Sequence, residues 1–263
     1  MIGRIVCHGG VPGHDHKAAR KAITSSVSAL KTPVVMTPGG FVHFDMDYNG
    51  TKGWHAESAD FYDVAEAARK FMESKLLTPG TKSKIEAHSL TVTIGIDAFC
   101  NGKKIAELVL VRSKDGTHPT GKSFPRTDEE NELVLAPVGT HYIRVNGVKT
   151  VVLGCHDLNV WSGRSAANTS TTSNRYHRRM HMKERAVGWK PQMVLHHPHA
   201  TDTDKTWAAG WGGVKRELAP LRYASGLGYY NEYGRKVQGF RQPLDKVRAA
   251  HNSGPIDNVI EFN

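Results

Sequence analysis

Short β-branched or apolar runs, each bounded by Gly, Pro, Asp or Asn, recur along the whole chain, and this regular interruption constrains the fold more than any other feature. The runs are Ile5-Val6, Pro33–Met36, Leu90–Ile96, Ala106–Val111, His141–Val145, Val148–Leu153 and Met193–Leu195. Between them the apolar spacing turns helical. His16–Leu30 places Ala18, Ala22, Ile23, Val27 and Leu30 on one face, and Asp60–Leu77 does so with Phe61, Val64, Ala65, Ala68, Phe71, Met72 and Leu76. Asp60 and Asp63 suit the positive end of that second helix, and Pro79-Gly80 reads as its stop. Two further helices are predicted, from about Asn174 to Val187 and around Trp207–Ala224. Asn101-Gly102 and Asn146-Gly147 lie between strand runs and predict tight hairpin turns. Alternation followed by hairpins argues an α/β fold, a mixed sheet covered by helices.

Several runs end in reactive side chains. Ile5-Val6 leads to Cys7-His8, Val151–Gly154 to Cys155-His156-Asp157, and Met193–Leu195 to His196-His197-Pro198-His199. Ligands of open α/β sheets sit where strands end and helices begin, so several polar strand ends point to one shared pocket. His156, Asp157, His197 and His199 are assigned to substrate binding in it. Cys155 is the leading candidate for chemistry, because Val-Val-Leu-Gly before it makes a buried strand and a polar turn follows. A thiolate nucleophile needs a lowered pKa, which a neighbouring cation supplies, and Lys122 is a possible source. The plain alternative is a small interior hydrophobe, the commonest role of a free Cys.

Composition narrows the classes. The three cysteines, Cys7, Cys100 and Cys155, are odd in number and widely spaced, which disfavours a disulfide framework and a cysteine-based zinc site and favours a reducing, cytoplasmic compartment. No apolar stretch is long enough to span a bilayer, and the N-terminus reads as a first strand, not a signal peptide. The formal charge of +10 implies a basic surface, an acidic partner or nucleic acid. The densest basic stretch, Arg175–Lys190, reads as one helix with a solvated face.

From Gly102 to Asn159 the chain runs through the strand Leu108–Val111, the turn Asp115-Gly116, Lys122 in Thr120–Phe124, the acidic Glu130 with Glu129 and Glu132 beside it, the hairpin His141–Leu153, and Cys155-His156-Asp157. This order, with 33 residues from Lys122 to Cys155, resembles the nitrilase, or carbon–nitrogen hydrolase, superfamily. The flanks agree: His16–Leu30 followed by Pro33–Met36 is similar to the family's first βαβ unit, and Met193–Tyr229 to its later strand and Trp-containing helix. The resemblance implies a single domain over 1–263 with a four-layer α-β-β-α sandwich of two mixed sheets, in which about 233–263 is a tail over the surface or a subunit partner. It implies hydrolysis or acyl transfer at a non-peptide carbon–nitrogen bond, amide or nitrile, through a cysteine thioester. Cys155 would be the nucleophile, Lys122 the oxyanion stabiliser and Glu130 a positioning acid. No cofactor is required, the substrate is a small molecule, and a homo-oligomer is expected. The family's general base is a Glu directly after a Pro at the end of the second strand; here Pro38 is followed by Gly39. Asp45 and Asp47 come a few residues later, as replacements or as ordinary loop acids.

Two other classes stay open on the sequence. His14-Asp15-His16 and His196-His197-x-His199, with Asp202 and Asp204, offer ligand types for a metal-dependent hydrolase. No complete ligand motif such as HExxH is present, and neighbouring residues on a strand point to opposite faces, so His196 and His197 do not both ligate easily. A scaffold that has lost its base would instead be a binding or regulatory protein, with Arg175–Lys190 meeting an acidic partner or nucleic acid and Tyr176 and Trp189 free to stack. No recognised nucleic-acid motif is present.

Overall fold

The computed structural model describes residues 1–46, 60–88, 90–126, 129–130, 132–163, 170–199, 204–229 and 253–262. In chain order these form β1 (Ile2–His8), α1 (His16–Ala29), β2 (Val34–Met36), β3 (Val42–Asp45), α2 (Phe61–Phe71) running into a π-helical turn at Met72–Leu76, α3 (Pro79–His88), β4 (Thr91–Cys100), β5 (Lys103–Ser113) and β6 (Gly116–Gly121). There follow β7 (Tyr142–Val145), β8 (Val148–Leu153), α4 (Asn174–Trp189), β9 (Met193–His196), α5 (Asp204–Leu218), β10 (Arg222–Ser225), β11 (Leu227–Tyr229) and β12 (Ile256–Glu261).

The local chemistry explains most boundaries. Asp15, Asp60 and Ser173 accept the backbone N–H of Ala18, Tyr62 and Tyr176 and so cap α1, α2 and α4. Both Asn-Gly pairs form the predicted turns with positive φ at each residue, 51° and 74° at Asn101-Gly102 and 49° and 79° at Asn146-Gly147, the left-handed pair that matches strand twist. Pro79-Gly80 does end one helical run but also starts the next. Pro79 is the first residue of α3, where its missing N–H costs nothing, and Thr78 Oγ1 accepts the N–H of Thr81 at 3.1 Å. The helix expected over Trp207–Ala224 ends at Leu218, and Arg222–Ser225 is a strand paired with β9.

The larger sheet has eight strands, ordered β11-β1-β2-β4-β5-β6 with β12 on β1 and β3 on β4; the smaller is β10-β9-β8-β7. Both mix parallel and antiparallel pairs. β12 registers with Gly3–His8 along one edge of β1, so β2 and β11 share the other edge end to end. Of the expected tail, 233–252 and Asn263 lie outside the described residues.

Three cores separate four layers. One buries Ile23, Phe61, Met72 and Ile85 from the first helices against Val92, Ile94 and Leu110 of the large sheet. A second lies between the sheets, with Val34, Met36, Val109 and Val111 facing Val145, Val152, Met193 and Leu195. The third packs Met182, Ala186, Trp207 and Trp211 of α4 and α5 on Val151, Leu153 and Val194. This is the α-β-β-α sandwich with two mixed sheets.

Candidate active site

The two sheets meet where β5, β6 and β8 release Glu107, Lys122 and Cys155. Glycines permit the approach. A Cβ on Gly121 would lie 2.3 Å from the Glu107 carbonyl oxygen, and one on Gly154 2.7 Å from the Lys122 nitrogen. The Lys122 N–H donates to the Glu107 carbonyl at 2.9 Å. Asp157 then braces the junction. It is fully buried, and its carboxylate accepts the N–H groups of Ser123, Phe124 and Gly154 at 3.0, 2.7 and 2.7 Å. These three bonds hold the turn after Cys155 against the loop of Lys122, and the carboxylate is closed off from the surface. Asp157 therefore has no face for a substrate, which corrects its assignment to substrate binding.

Around the thiol lies a cluster of charges. The Lys122 ammonium, with 2% of its side chain exposed, is 3.2 Å from both Glu107 oxygens and 2.5 Å from Glu129 Oε2. The acid paired with Lys122 is thus Glu129, not the adjacent Glu130. Glu129 also accepts the Arg126 N–H and lies 3.8 Å from His156 Nδ1. Lys104 adds a second ammonium, 2.7 Å from Glu107 and 3.6 Å from Asp97. His199 Nε2 donates to Asp97 at 2.9 Å, and its Nδ1 stands 3.7 Å from Glu107 Oε2. Glu107, Cys155 and His199 each bring one donor atom within 4.8 Å of the other two.

These neighbours set the charge states. Burial would raise the Cys155 thiol, but His199 beside it, hydrogen-bonded to the sulfur, and then His156 bring it below its ordinary value. Burial would discharge His199, yet Asp97, Glu107 and Cys155 hold it well above the usual histidine value. Burial would likewise discharge Lys122, but Glu107, Cys155 and Glu129 keep it an ammonium. Asp97 is buried and nonetheless held low by His199 and Lys104.

The remaining expectations fall elsewhere. His197, assigned to substrate binding, is 1% exposed; burial pushes it down to about 3, a neutral ring in the interior. His156 is partly exposed beside Cys155 and Glu129, and His199 is 24% exposed. Asp45 is exposed and 3.5 Å from His14, and Asp47 lies outside the described residues. Of the proposed metal set, His14 packs edge-on against His43 and tilted against Phe99, and His16 Nε2 bonds the His43 carbonyl. Asp202 lies outside the described residues, and of the Asp204 side chain nothing is described. Glu107, Cys155 and His199 are donor types that zinc accepts. Glu107, however, already faces two ammonium groups, whose charge opposes a divalent cation in the same place. The basic helix α4 is largely spent on packing: Arg179 donates to the Val160 carbonyl, Arg175 lies over Phe124, Arg185 over Tyr142, and Lys183 pairs with Glu217.

Asp97, Lys104 and Glu107 were not singled out from the sequence. Their signal was present, since each acid interrupts an apolar strand, Ile94-Gly95-Ile96-Asp97-Ala98 and Ile105-Ala106-Glu107-Leu108-Val109, where a charge is costly unless partnered.

No protein-family profile and no curated protein sequence matches the chain. Solved structures do. A carbon–nitrogen hydrolase from Helicobacter pylori G27 superposes with a TM-score of 0.50 at 10% identity over 90% of this chain and 78% of its own. A CN-hydrolase superfamily protein from Xanthomonas campestris, solved with an arsenic adduct in its active site, gives 0.50 at 11% over 89% and 78%. A variant of the amidase from Nesterenkonia sp. AN1, carrying the acetamide moiety of fluoroacetamide on its active-site cysteine, gives 0.50 at 12% over 89% and 79%. The chain has the fold of the nitrilase, or carbon–nitrogen hydrolase, superfamily.

Proposed function

We propose that the chain is a cysteine-dependent hydrolase or acyltransferase acting on a non-peptide carbon–nitrogen bond, an amide or nitrile, through a thioester on Cys155. The observation that carries this is the placement of a partly exposed thiol at a strand end, inside a cluster that lowers its pKa, with the Lys122 backbone packed on the same turn and the buried Lys122 ammonium near enough to interact with the sulfur's charge. Cys7 and Cys100, by contrast, are buried. The thiolate attacks the carbonyl or nitrile carbon, and the developing negative charge on oxygen or nitrogen falls to Lys122. Glu107 and Glu129 hold that ammonium from two sides, so that it is oriented before substrate arrives. In the amidase of the same fold an active-site cysteine carries an acetamide adduct, which supports the reading.

The reading includes a small-molecule substrate, a cytoplasmic setting, self-association and no organic cofactor. None of the described helices is long and apolar enough to cross a membrane. A panel of short aliphatic and aromatic amides and nitriles, screened for ammonia release, tests it. Cys155→Ala is expected to lower turnover by at least about 10³-fold, as for loss of a covalent nucleophile, and mass spectrometry of quenched wild type to show an acyl group on Cys155. Turnover unchanged in Cys155→Ala sinks the mechanism.

A further inference from the structure

The segment after β9 crosses the loop after β2 at a point where no side chain fits. A Cβ on Gly39 would stand 2.5 Å from the His197 carbonyl oxygen, and the Gly39 N–H donates to the Pro198 carbonyl at 2.8 Å. At Gly40, φ +56°, a Cβ would stand 2.5 Å from His199 Cδ2 and 3.2 Å from Asp97 Oδ2. Gly39 and Gly40 thus leave the space that His199 and Asp97 fill. It is also the place, directly after Pro38, where the family that the sequence resembles carries its base.

We propose that His199, aligned by Asp97, is the proton carrier for Cys155, an imidazole standing in for the absent carboxylate. This rests on the reading of Cys155 as nucleophile. Nε2–H donates to Asp97, so the hydrogen bond between the ring and the sulfur is assigned to Nδ1, which also has Glu107 Oε2 3.7 Å away. The charged and titratable groups facing the ring are Asp97 from β4, Glu107 and Lys104 from β5, His43 from β3, and Cys155 itself. Glu107 is the weaker candidate, because its carboxylate is bound by two ammonium groups and is held low by His199, Lys122 and Lys104 together. The resting state is a thiolate beside an imidazolium. With an amide, the sulfur forms a bond to the carbonyl carbon and the π pair moves to oxygen. Collapse breaks the carbon–nitrogen bond, and the departing amine takes the proton from Nδ1. The neutral ring then removes a proton from water as its oxygen bonds to the thioester carbon. Collapse expels the thiolate, releases the acid and leaves His199 protonated again.

Two substrate-independent readouts test this. The first is the rate of Cys155 alkylation by iodoacetamide against pH, with the adduct located by mass spectrometry, in wild type, His199→Gln and Asp97→Asn. Wild type is expected to hold a plateau of reactivity well below pH ~8.5, the ordinary thiol value. His199→Gln is expected to lose about 10²-fold in rate at the acidic end and to recover only above that value, with Asp97→Asn in between. A plateau kept in His199→Gln overturns the proposal. The second uses p-nitrophenyl acetate to load acetyl on Cys155. The acetyl group is expected to persist at least about 10²-fold longer in His199→Gln than in wild type, and equal lifetimes overturn the base role. Should His199→Gln fail to fold, nuclear magnetic resonance of the wild-type imidazole decides. Alkylating Cys155 should lower the His199 titration midpoint, and an unmoved midpoint overturns the pair. Alkylation can fail while Cys155-dependent amide turnover stands, and it can succeed in a protein that turns over no amide, so the two readings fail separately.

Discussion

The end of β9 and the loop it enters carry three histidines, and two neighbourhoods a few residues apart charge them in opposite ways. His196 and His197 lie in the interior. His196 is held by Ser225 Oγ at 2.9 Å and the Cys155 carbonyl at 2.8 Å, beside Trp207 and Trp211, and burial pushes it down to about 4. His197 sits lower still, at about 3. His199 is also largely buried, yet Asp97 and Glu107 hold it protonated. Burial sets the direction only until a counter-charge comes within a few ångströms. One pair thus serves as polar filling behind the turn of Cys155, and the third ring faces the thiol as a cation.

Removing the counter-charge breaks the contrast most sharply. Asp97→Ala leaves a buried cation beside Lys104 and should cost about 3–5 kcal/mol of unfolding free energy in urea titrations, the penalty of breaking a buried pair. A cost below ~1 kcal/mol would mean that His199 is neutral.

Acid exposes the other half. Below the unfolded value of ~6.5, the unfolded chain binds protons that folded His196 and His197 refuse, so stability falls as pH drops from about 6.5 toward 4, by roughly 3 kcal/mol for a group shifted this far. His199 has the opposite sign: its raised pKa contributes stability that is complete below ~6.5 and is lost as pH rises through the folded value. His197→Leu, which gives up only a backbone contact at Thr37, should flatten the acid limb of a urea-midpoint series from pH 7 to 4. An unaltered slope would place the acid sensitivity elsewhere.

His196→Leu removes two hydrogen bonds and leaves the Cys155 carbonyl without its imidazole partner, for about 2 kcal/mol. It should also slow Cys155 alkylation, through the backbone of the nucleophile's turn. Lys183→Ala marks the floor. Its 2.8 Å pair with Glu217 joins α4 to α5 away from the cluster, and both side chains are about a fifth exposed. Thermal unfolding should register no more than about 0.5 kcal/mol.

Local chemistry made some of this legible in the sequence. The Asn-Gly turns, the capped helices and the polar strand ends follow from neighbours in the chain, and the family resemblance, not any local signal, brought Lys122 to Cys155. What stayed hidden depends on partners far apart. Asp97 meets His199 across 102 residues, and nothing near either reveals the other. Glu129 and Glu130 are adjacent acids, and nothing in the sequence says which of them pairs with Lys122. His197 and His199 both read as pocket residues, and only the crossing at Gly39 and Gly40 sends one inward and the other to the thiol.

The strand at 256–261 has a bearing on how the molecule comes together. It lies parallel to β1, and Asp257 grips Arg4 at 2.8 Å across 253 residues of chain. Arg4 is 1% exposed and also donates to the Ser225 carbonyl at 3.1 Å. Until residues 256–261 are made and docked, β1 keeps an open row of backbone donors and acceptors and a guanidinium with its acid missing. Closing a loop of that length is slow, as in other folds dominated by contacts between distant segments. The nascent chain therefore passes through an interval in which this edge of β1 still lacks its own distant strand. A chain cut short of Asp257 would remain in that condition.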